Sequence, residues 1–503
     1  MNHDADYADL KVRLQEIADL GYAGSVLGWD QATYMPPGGA AARGRQLALL
    51  GRLTHERFTD PAIGGLLDRL TPWAEAQGAD SAAAALIRVT RRDYERSTKV
   101  PSAFVQRLGE HAAATYHAWE RARPANDFGA VRPLLETTVE LSREYAAFYT
   151  GFEDPYDALI DLAEEGMTVR AVRTLFTDLR AELVPLIEAI RQRPPIDDAC
   201  LHGDVPEALQ RDFGEAVIRA YGYDFQRGRQ DKTAHPFMTK LGRGDVRITT
   251  RFRADDLSDG LFSTLHEAGH AMYEQGIDDA LEGTPLYGGA SAGMHESQSR
   301  LWENLVGRSL PFWRHWYPRL QATFPATLAG VDVTAFHRAI NRVAPSLIRT
   351  DADEVTYNLH VMLRFDLELA LLEGTLAVAD LPEAWRARMT ADLGVTPPDD
   401  RDGALQDVHW YGGIVGGAFQ SYTLGNVMSA QLYAAAGRAL PDLDAAIGAG
   451  EYDGLRAWLT ANVYRYGRTY LAPELIERAT GAPLATGPYL DYLKTKYGVL
   501  YGL

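Results

Sequence analysis

The sequence predicts a mainly α protein with one small β-sheet placed just before a helix that carries two histidines. Two observations carry this. Apolar residues recur at helical spacing through most of the chain, and runs with strand-like alternation are scarce. The 503 residues are 46% hydrophobic and 23% charged, an ordinary globular composition with enough apolar material for a large core. No shift in composition marks a boundary, so the whole chain, 1–503, is expected to act as one unit.

The elements follow in order. Leu10, Val12, Leu14, Ile17 and Leu20 outline a first helix, and the Pro/Gly cluster at 34–41 ends it in a loop. Similar clusters at 193–206 and 394–403 are expected to be loops. "DVRITTRF", Asp245 to Phe252, alternates and is β-branched, so it is the clearest strand. Ser258 to Gln275 fits one helix, with Ser258 as a cap, Leu261, Phe262, Leu265 and Met272 as its apolar stripe, and Gly276 just past its end. Leu359, Leu363, Leu367 and Leu371 mark a later buried helix. Between Trp410 and Gly437 no residue is charged, but its glycines and its Gln, Ser, Thr and Asn residues favour a buried wall leading into a core helix over a membrane span.

Charge and cysteine content narrow the function. The net charge is −18, with 50 basic against 68 acidic residues, which repels phosphate backbones and anionic lipid at long range. Nucleic acid and membrane are therefore unexpected partners. A single cysteine, Cys200, excludes a disulfide framework and a thiolate zinc cluster. Together with an N-terminus that lacks a basic-then-apolar leader, it suits the cytoplasm. Any metal must be held by His and carboxylate.

"HEAGH" meets that requirement. His266 and His270 lie one helical turn apart on one face and can reach one cation, with Glu267 beside them to take a proton from water. The alternative is a helix with two surface histidines. A hydrolytic zinc site needs a third protein ligand and an open position. "ASAGMHESQSRLWENLVG" offers one on a second helix capped by Ser291, reached through the Gly-rich turn "YGGASAG". Spacing leaves Glu296 and His295 both open, and for Glu296 taken alone a solvated carboxylate paired with Arg300 is the better reading.

With those motifs the chain carries "WDQATYMPPG" from Trp29, "HPF" from His235, "DVRIT" from Asp245, "IRTDAD" from Ile348, "GALQDVHW" from Gly403 and "HESQ" from His295. With these blocks taken in their order along the chain, and over nearly the whole length, it resembles the Taq-type metallocarboxypeptidases. The resemblance implies a large helical peptidase fold of two lobes around a deep groove, and usually a homodimer. It implies Glu296 as third ligand and one divalent ion per chain, Zn²⁺ first, with Co²⁺ or Mn²⁺ also accepted by such a donor set. The implied activity is release of C-terminal residues from peptides with broad specificity, with Glu267 as general base. Rival readings are an endo-acting oligopeptidase and a silent peptide-binding protein that kept its metal.

An exopeptidase of this kind needs a local cation for the free carboxylate of its substrate. Arg349 of "IRTDAD" matches the family arginine. Arg247 of "DVRIT" comes second, with pairing to Asp245 as the plainer alternative. His409 and Tyr422 are candidates to stabilise the oxyanion, each also readable as a buried polar group with one satisfied bond. His235 is a candidate support for the ligands, and Trp29 and Asp30 are expected to anchor the N-terminal helices.

Overall fold

The computed structural model describes residues 2–78 and 80–503, 68% of the chain helical, with 20 helices and one three-stranded sheet among the described residues. The expectation of a mainly α fold with a small sheet holds. The chain forms two compact units: Met1–Thr98, Asp197–Ile340 and Ser429–Leu484 make one, and Lys99–Ile196, Asn341–Met428 and Ala485–Leu503 make the other. Both are assembled from separate stretches of sequence, which is why composition shows no boundary.

In the first unit, helix His3–Thr33 buries Leu10 and Leu14 against Ile63, Leu66, Leu67 and Leu70. Val12 is 59% exposed. Two residues past Leu10 it sits about 200° around the helix, so it leaves the stripe predicted for it. Asp30, near the end of this helix, binds Arg43 of helix Ala40–Phe58 (2.6 Å), the anchoring expected of it.

The sheet has strands β1 (Gln230–Lys232), β2 (Met238–Gly242) and β3 (Asp245–Thr250), with β3 central, parallel to β1 and antiparallel to β2. Val246 and Ile248 point into the core, as alternation predicts. Against β3 packs helix Leu257–Gln275. Its rotation is set by a buried polar ladder: Gln230 Nε2 donates to Thr250 (2.7 Å) and Thr264 (2.8 Å), whose hydroxyls lie 3.2 Å apart. These bonds satisfy groups that would be costly to bury unpaired.

That helix ends at Gln275 as predicted, but its cap and the reason for Gly276 need correction. The cap is Asp256, whose carboxylate accepts from the N–H groups of Ser258 (2.8 Å) and Asp259 (3.1 Å). A carboxylate there also meets the positive end of the helix dipole, which a serine hydroxyl does not. Gly276 has φ −91, so no left-handed backbone requires it. A Cβ at Gly276 would lie 2.6 Å from the Tyr464 ring, and that close approach accounts for the glycine.

Helix Ala292–Arg300 lies against the same helix, capped by Ser291 as predicted (3.0 Å to the Met294 N–H). The contact is tightest at Gly269, where a Cβ would stand 2.6 Å from both Gln298 O and Ser299 Cα.

In the second unit, helices Ser102–Ala125 and Phe128–Ala147 pair through a turn at Asn126, which has φ 55. Helix Tyr357–Glu373 is buried on nearly all sides, including the predicted Leu359, Leu363, Leu367 and Leu371. Helix Gln420–Ala439 follows the uncharged Gly-rich stretch, and none of the described helices is long and apolar enough to cross a membrane.

Because backbone atoms cannot yield as a flexible side chain can, Gly269→Ala should destabilise the fold by about 1–3 kcal/mol. Thermal unfolding measures this, and metal titration of the variant should show weaker binding as Glu296 is pushed from the histidines.

Candidate metal centre

His266 and His270 project from one face of helix Leu257–Gln275, and Glu296 projects toward them from Ala292–Arg300. Glu296 Oε2 lies 3.6 Å from His266 Nε2 and 3.4 Å from His270 Nε2. These three donors all fall within 4.8 Å of one another, and among the described residues they are the group that can hold a metal. Glu296 is 6% exposed, so it is not the solvated carboxylate that spacing alone allowed.

The far side of each histidine is already engaged. The Glu303 carboxylate accepts from His266 Nδ1 (2.9 Å). His270 Nδ1 meets His295 Nδ1 at 2.6 Å, and His295 Nε2 meets Glu274 Oε1 at 3.0 Å. An ionised carboxylate only accepts, so His295 carries its proton on Nε2 and its Nδ1 accepts from His270. In their neutral forms both candidate ligand histidines would therefore present bare Nε2 lone pairs toward Glu296. Lys240 of β2 donates to Glu274 Oε2 (2.6 Å) and also to the Tyr287 carbonyl. His295, left open by spacing as a rival ligand, is the residue that orients His270.

Glu296, Arg300 and Glu303 occupy i, i+4 and i+7 of one helical path, which continues through a π-helical turn over Leu301–Val306. Arg300 Nε donates to Glu296 Oε1 (2.6 Å), leaving Oε2 for the histidines. Burial disfavours the Glu296 anion, but Arg300 and the histidines outweigh it and hold the carboxyl well below its usual range. Glu303 is likewise held at about 2, since Arg300, His266 and Arg308 overcome its burial. His270 is pushed down to about 4 by burial, so it is neutral at pH 7. Burial opposes the charged form of His266 too, yet Glu296 and Glu303 prevail and raise it.

Glu267 differs from its neighbours. It is 7% exposed, and among the described residues its carboxylate accepts no hydrogen bond. Burial lifts its carboxyl to about 7.

A second polar cluster lies within the other unit and unites three predicted residues. Arg349 is 8% exposed, and its Nε donates to Asp407 Oδ2 (2.9 Å) and its Nη1 to the Tyr357 hydroxyl (3.1 Å). The other Asp407 oxygen bonds His409 Nδ1, and Tyr422 Oη stands 3.5 Å from His409 Nε2. The Arg349 guanidinium lies 5.2 Å from the Tyr422 ring centre. Despite burial, the surrounding Tyr357, Asp407 and Tyr422 raise the Arg349 pKa, so the charge persists.

Arg247 belongs to the first unit. It donates twice to Asp245 (2.8 and 2.7 Å) and stacks 4.3 Å from the Trp29 ring, so the plainer alternative describes its contacts. His235 is exposed, and its side chain makes no bond to the ligand histidines.

Three comparisons with known proteins agree. The family model described as carboxypeptidase Taq (M32) metallopeptidase matches residues 9–497. This chain belongs to that family. Thermostable carboxypeptidase 1 of Thermus thermophilus is 42% identical over the full length of both chains. Carboxypeptidase 1 of Bacillus subtilis is 36% identical over 99% of each. The crystal structure of an M32 carboxypeptidase from Deinococcus radiodurans superposes with a TM-score of 0.96 at 52% identity, covering 99% of this chain and 100% of that one. The protein is thus a metal-dependent carboxypeptidase, as its motifs implied.

Sequence reasoning missed Glu303, Glu274 and Lys240. Glu303 was accessible, because it continues the Glu296, Arg300 face by three residues. Glu274 and Lys240 join through a tertiary contact that no spacing encodes.

If these groups hold the ligand rings in place, Glu303→Ala and His295→Ala should each weaken metal binding by about 10–100-fold while saturating at one ion per chain. Metal titration with elemental analysis checks both numbers.

Proposed function

We propose that His266, His270 and Glu296 hold one divalent ion, that Glu267 is the general base, and that Arg349 receives the terminal carboxylate of a peptide. The observation that carries this is the contrast among neighbouring carboxylates: Glu296 and Glu303 are bonded and held ionised, while Glu267 is buried, unbonded and raised to about 7. A base near neutrality, with no hydrogen-bond partner among the described residues, is suited to take a proton from water and return it to the leaving amine. A bound ion would supply Lewis acidity for the scissile carbonyl and the attacking water. The donor set favours Zn²⁺, and Co²⁺ or Mn²⁺ fits the same ligands. His409 and Tyr422, beside Arg349, are assigned to hydrogen bonding with the bound peptide.

The ordinary setting would be a cytoplasmic homodimer of broad specificity. The lone Cys200 supports the compartment, and light scattering of the purified protein tests the assembly.

Glu267→Gln should keep its metal and lose about two to four orders of magnitude in kcat. Only ionised Glu267 acts as a base, so kcat/KM should fall as pH drops. A cation nearby favours the ionised form, which places this acid limb at or below pH 7. A variant that binds metal and turns over normally would remove Glu267 from the mechanism. Glu296→Ala should lose metal outright.

Peptides amidated at the C-terminus should be poor substrates. Arg349→Ala should lower kcat/KM for free acids by about two orders of magnitude and leave the slow amide rate nearly unchanged. Equal loss on both substrates would make Arg349 a scaffold residue. Cleavage of amidated peptides at internal bonds, as fast as free acids, would instead establish an oligopeptidase.

A further inference from the structure

Helix Tyr357–Glu373 buries a second guanidinium to which the chemistry above gives no role. Arg364 is 0% exposed, and its Nε donates to Asp407 Oδ2 at 3.0 Å, the oxygen that also receives Arg349 Nε at 2.9 Å. Gln406 Oε1 is shared in the same way, accepting from Arg364 Nη2 (2.9 Å) and from the Arg349 backbone N–H (3.2 Å). The Phe419 ring lies 5.4 Å from one guanidinium and 5.5 Å from the other, and Trp385 covers Arg364 at 4.8 Å. Two cations thus share one carboxylate.

Three further titratable groups beside them, His360, His409 and Glu368, do not restore the balance. His360, one turn before Arg364, is fully buried and kept neutral by burial and by both arginines. His409 bonds the second oxygen of Asp407 and brings no negative charge. Glu368, one turn after Arg364, is raised by burial to about 7 and offsets only part of the surplus at neutral pH. Burial, with Arg349 beside it, lowers Arg364 to about 10 against the pull of Asp407, still well above neutrality. Removing charges from water is costly, and a purely structural ion cluster would gain by being neutral.

We infer that Arg364 is a positioning residue for the substrate's terminal carboxylate: by taking half of Asp407 it leaves the Arg349 charge uncancelled, and the substrate anion completes the set. This rests on Arg349 as the carboxylate anchor. Without Arg364, Asp407 would neutralise Arg349 and the incoming anion would meet no net attraction.

The test uses metal-loaded enzyme and one blocked dipeptide, supplied as free acid and as C-terminal amide. Arg364→Gln should raise KM for the free acid by about tenfold or more with kcat within about threefold, and leave amide kinetics unchanged. Gln406→Glu keeps Arg364 but adds a negative charge to both arginines, so it should reduce the free-acid preference to a similar extent. Arg364→Lys retains the charge and should retain the preference. Wild-type preference in folded Arg364→Gln or in Gln406→Glu overturns the inference, as does equal loss on both substrates. Should Arg364→Gln fail to fold, Gln406→Glu decides alone. Arg349→Ala, measured alongside, separates the two readings. If that variant keeps the free-acid preference, the anchor itself is wrong. If it loses the preference while the Arg364 and Gln406 variants keep it, only the inference falls.

Discussion

The proposed metal centre depends on how closely two helices approach at Gly269. Side chains of ordinary size would hold helix axes about 8–10 Å apart. Here the missing Cβ lets the backbone at Gln298 and Ser299 come up against the His266 helix. That contact sets the distance from Glu296 to both Nε2 atoms. The Thr264, Thr250 and Gln230 ladder fixes the rotation of the first helix, and Ser291 fixes the start of the second. Ligand geometry is thereby built from backbone contacts and buried hydrogen bonds, which leave little freedom to the side chains.

Around that contact, four glutamates of one type serve different ends because their surroundings differ. Glu296 shares Arg300 and faces the histidines, Glu303 holds His266, and Glu274 holds His295 with Lys240 behind it. Glu267 alone accepts no hydrogen bond among the described residues, and it is the one whose proton affinity rises toward neutrality. Desolvation without a partner favours the neutral acid, whereas desolvation beside a guanidinium favours the anion. The division of labour thus follows from which carboxylates are given a cation.

The anion site proposed in the second unit poses the converse problem. In a chain of net charge −18, a site for an anion must be shielded from the surrounding carboxylates and supplied with its own cations. Arg349 and Arg364 are buried on Asp407 with aromatic rings packed over them, in a low-dielectric setting where a surplus charge is felt strongly at short range. His409 and Tyr422 belong to the same cluster, so the residues proposed for handling the substrate are held together by one shared carboxylate.

Much of this was legible before any coordinates. Helical periodicity, the scarcity of strands and the strand at Asp245 determined the fold class, and the i, i+4 spacing of His266 and His270 determined that two imidazoles share a face. The block "HES" pointed to Glu296 only through resemblance, because spacing treats His295 and Glu296 alike. Tertiary structure decided what local pattern cannot carry. It made Asp256 the cap in place of Ser258, assigned Gly276 to the Tyr464 ring, saturated Arg247 with Asp245 and Trp29, and moved His295 behind His270. It also joined Lys240, Glu274 and Arg364 to clusters far away in sequence. Periodicity encodes which side of a helix a residue occupies. It does not encode what stands opposite, and hydrogen bonds and charge depend on that opposing group.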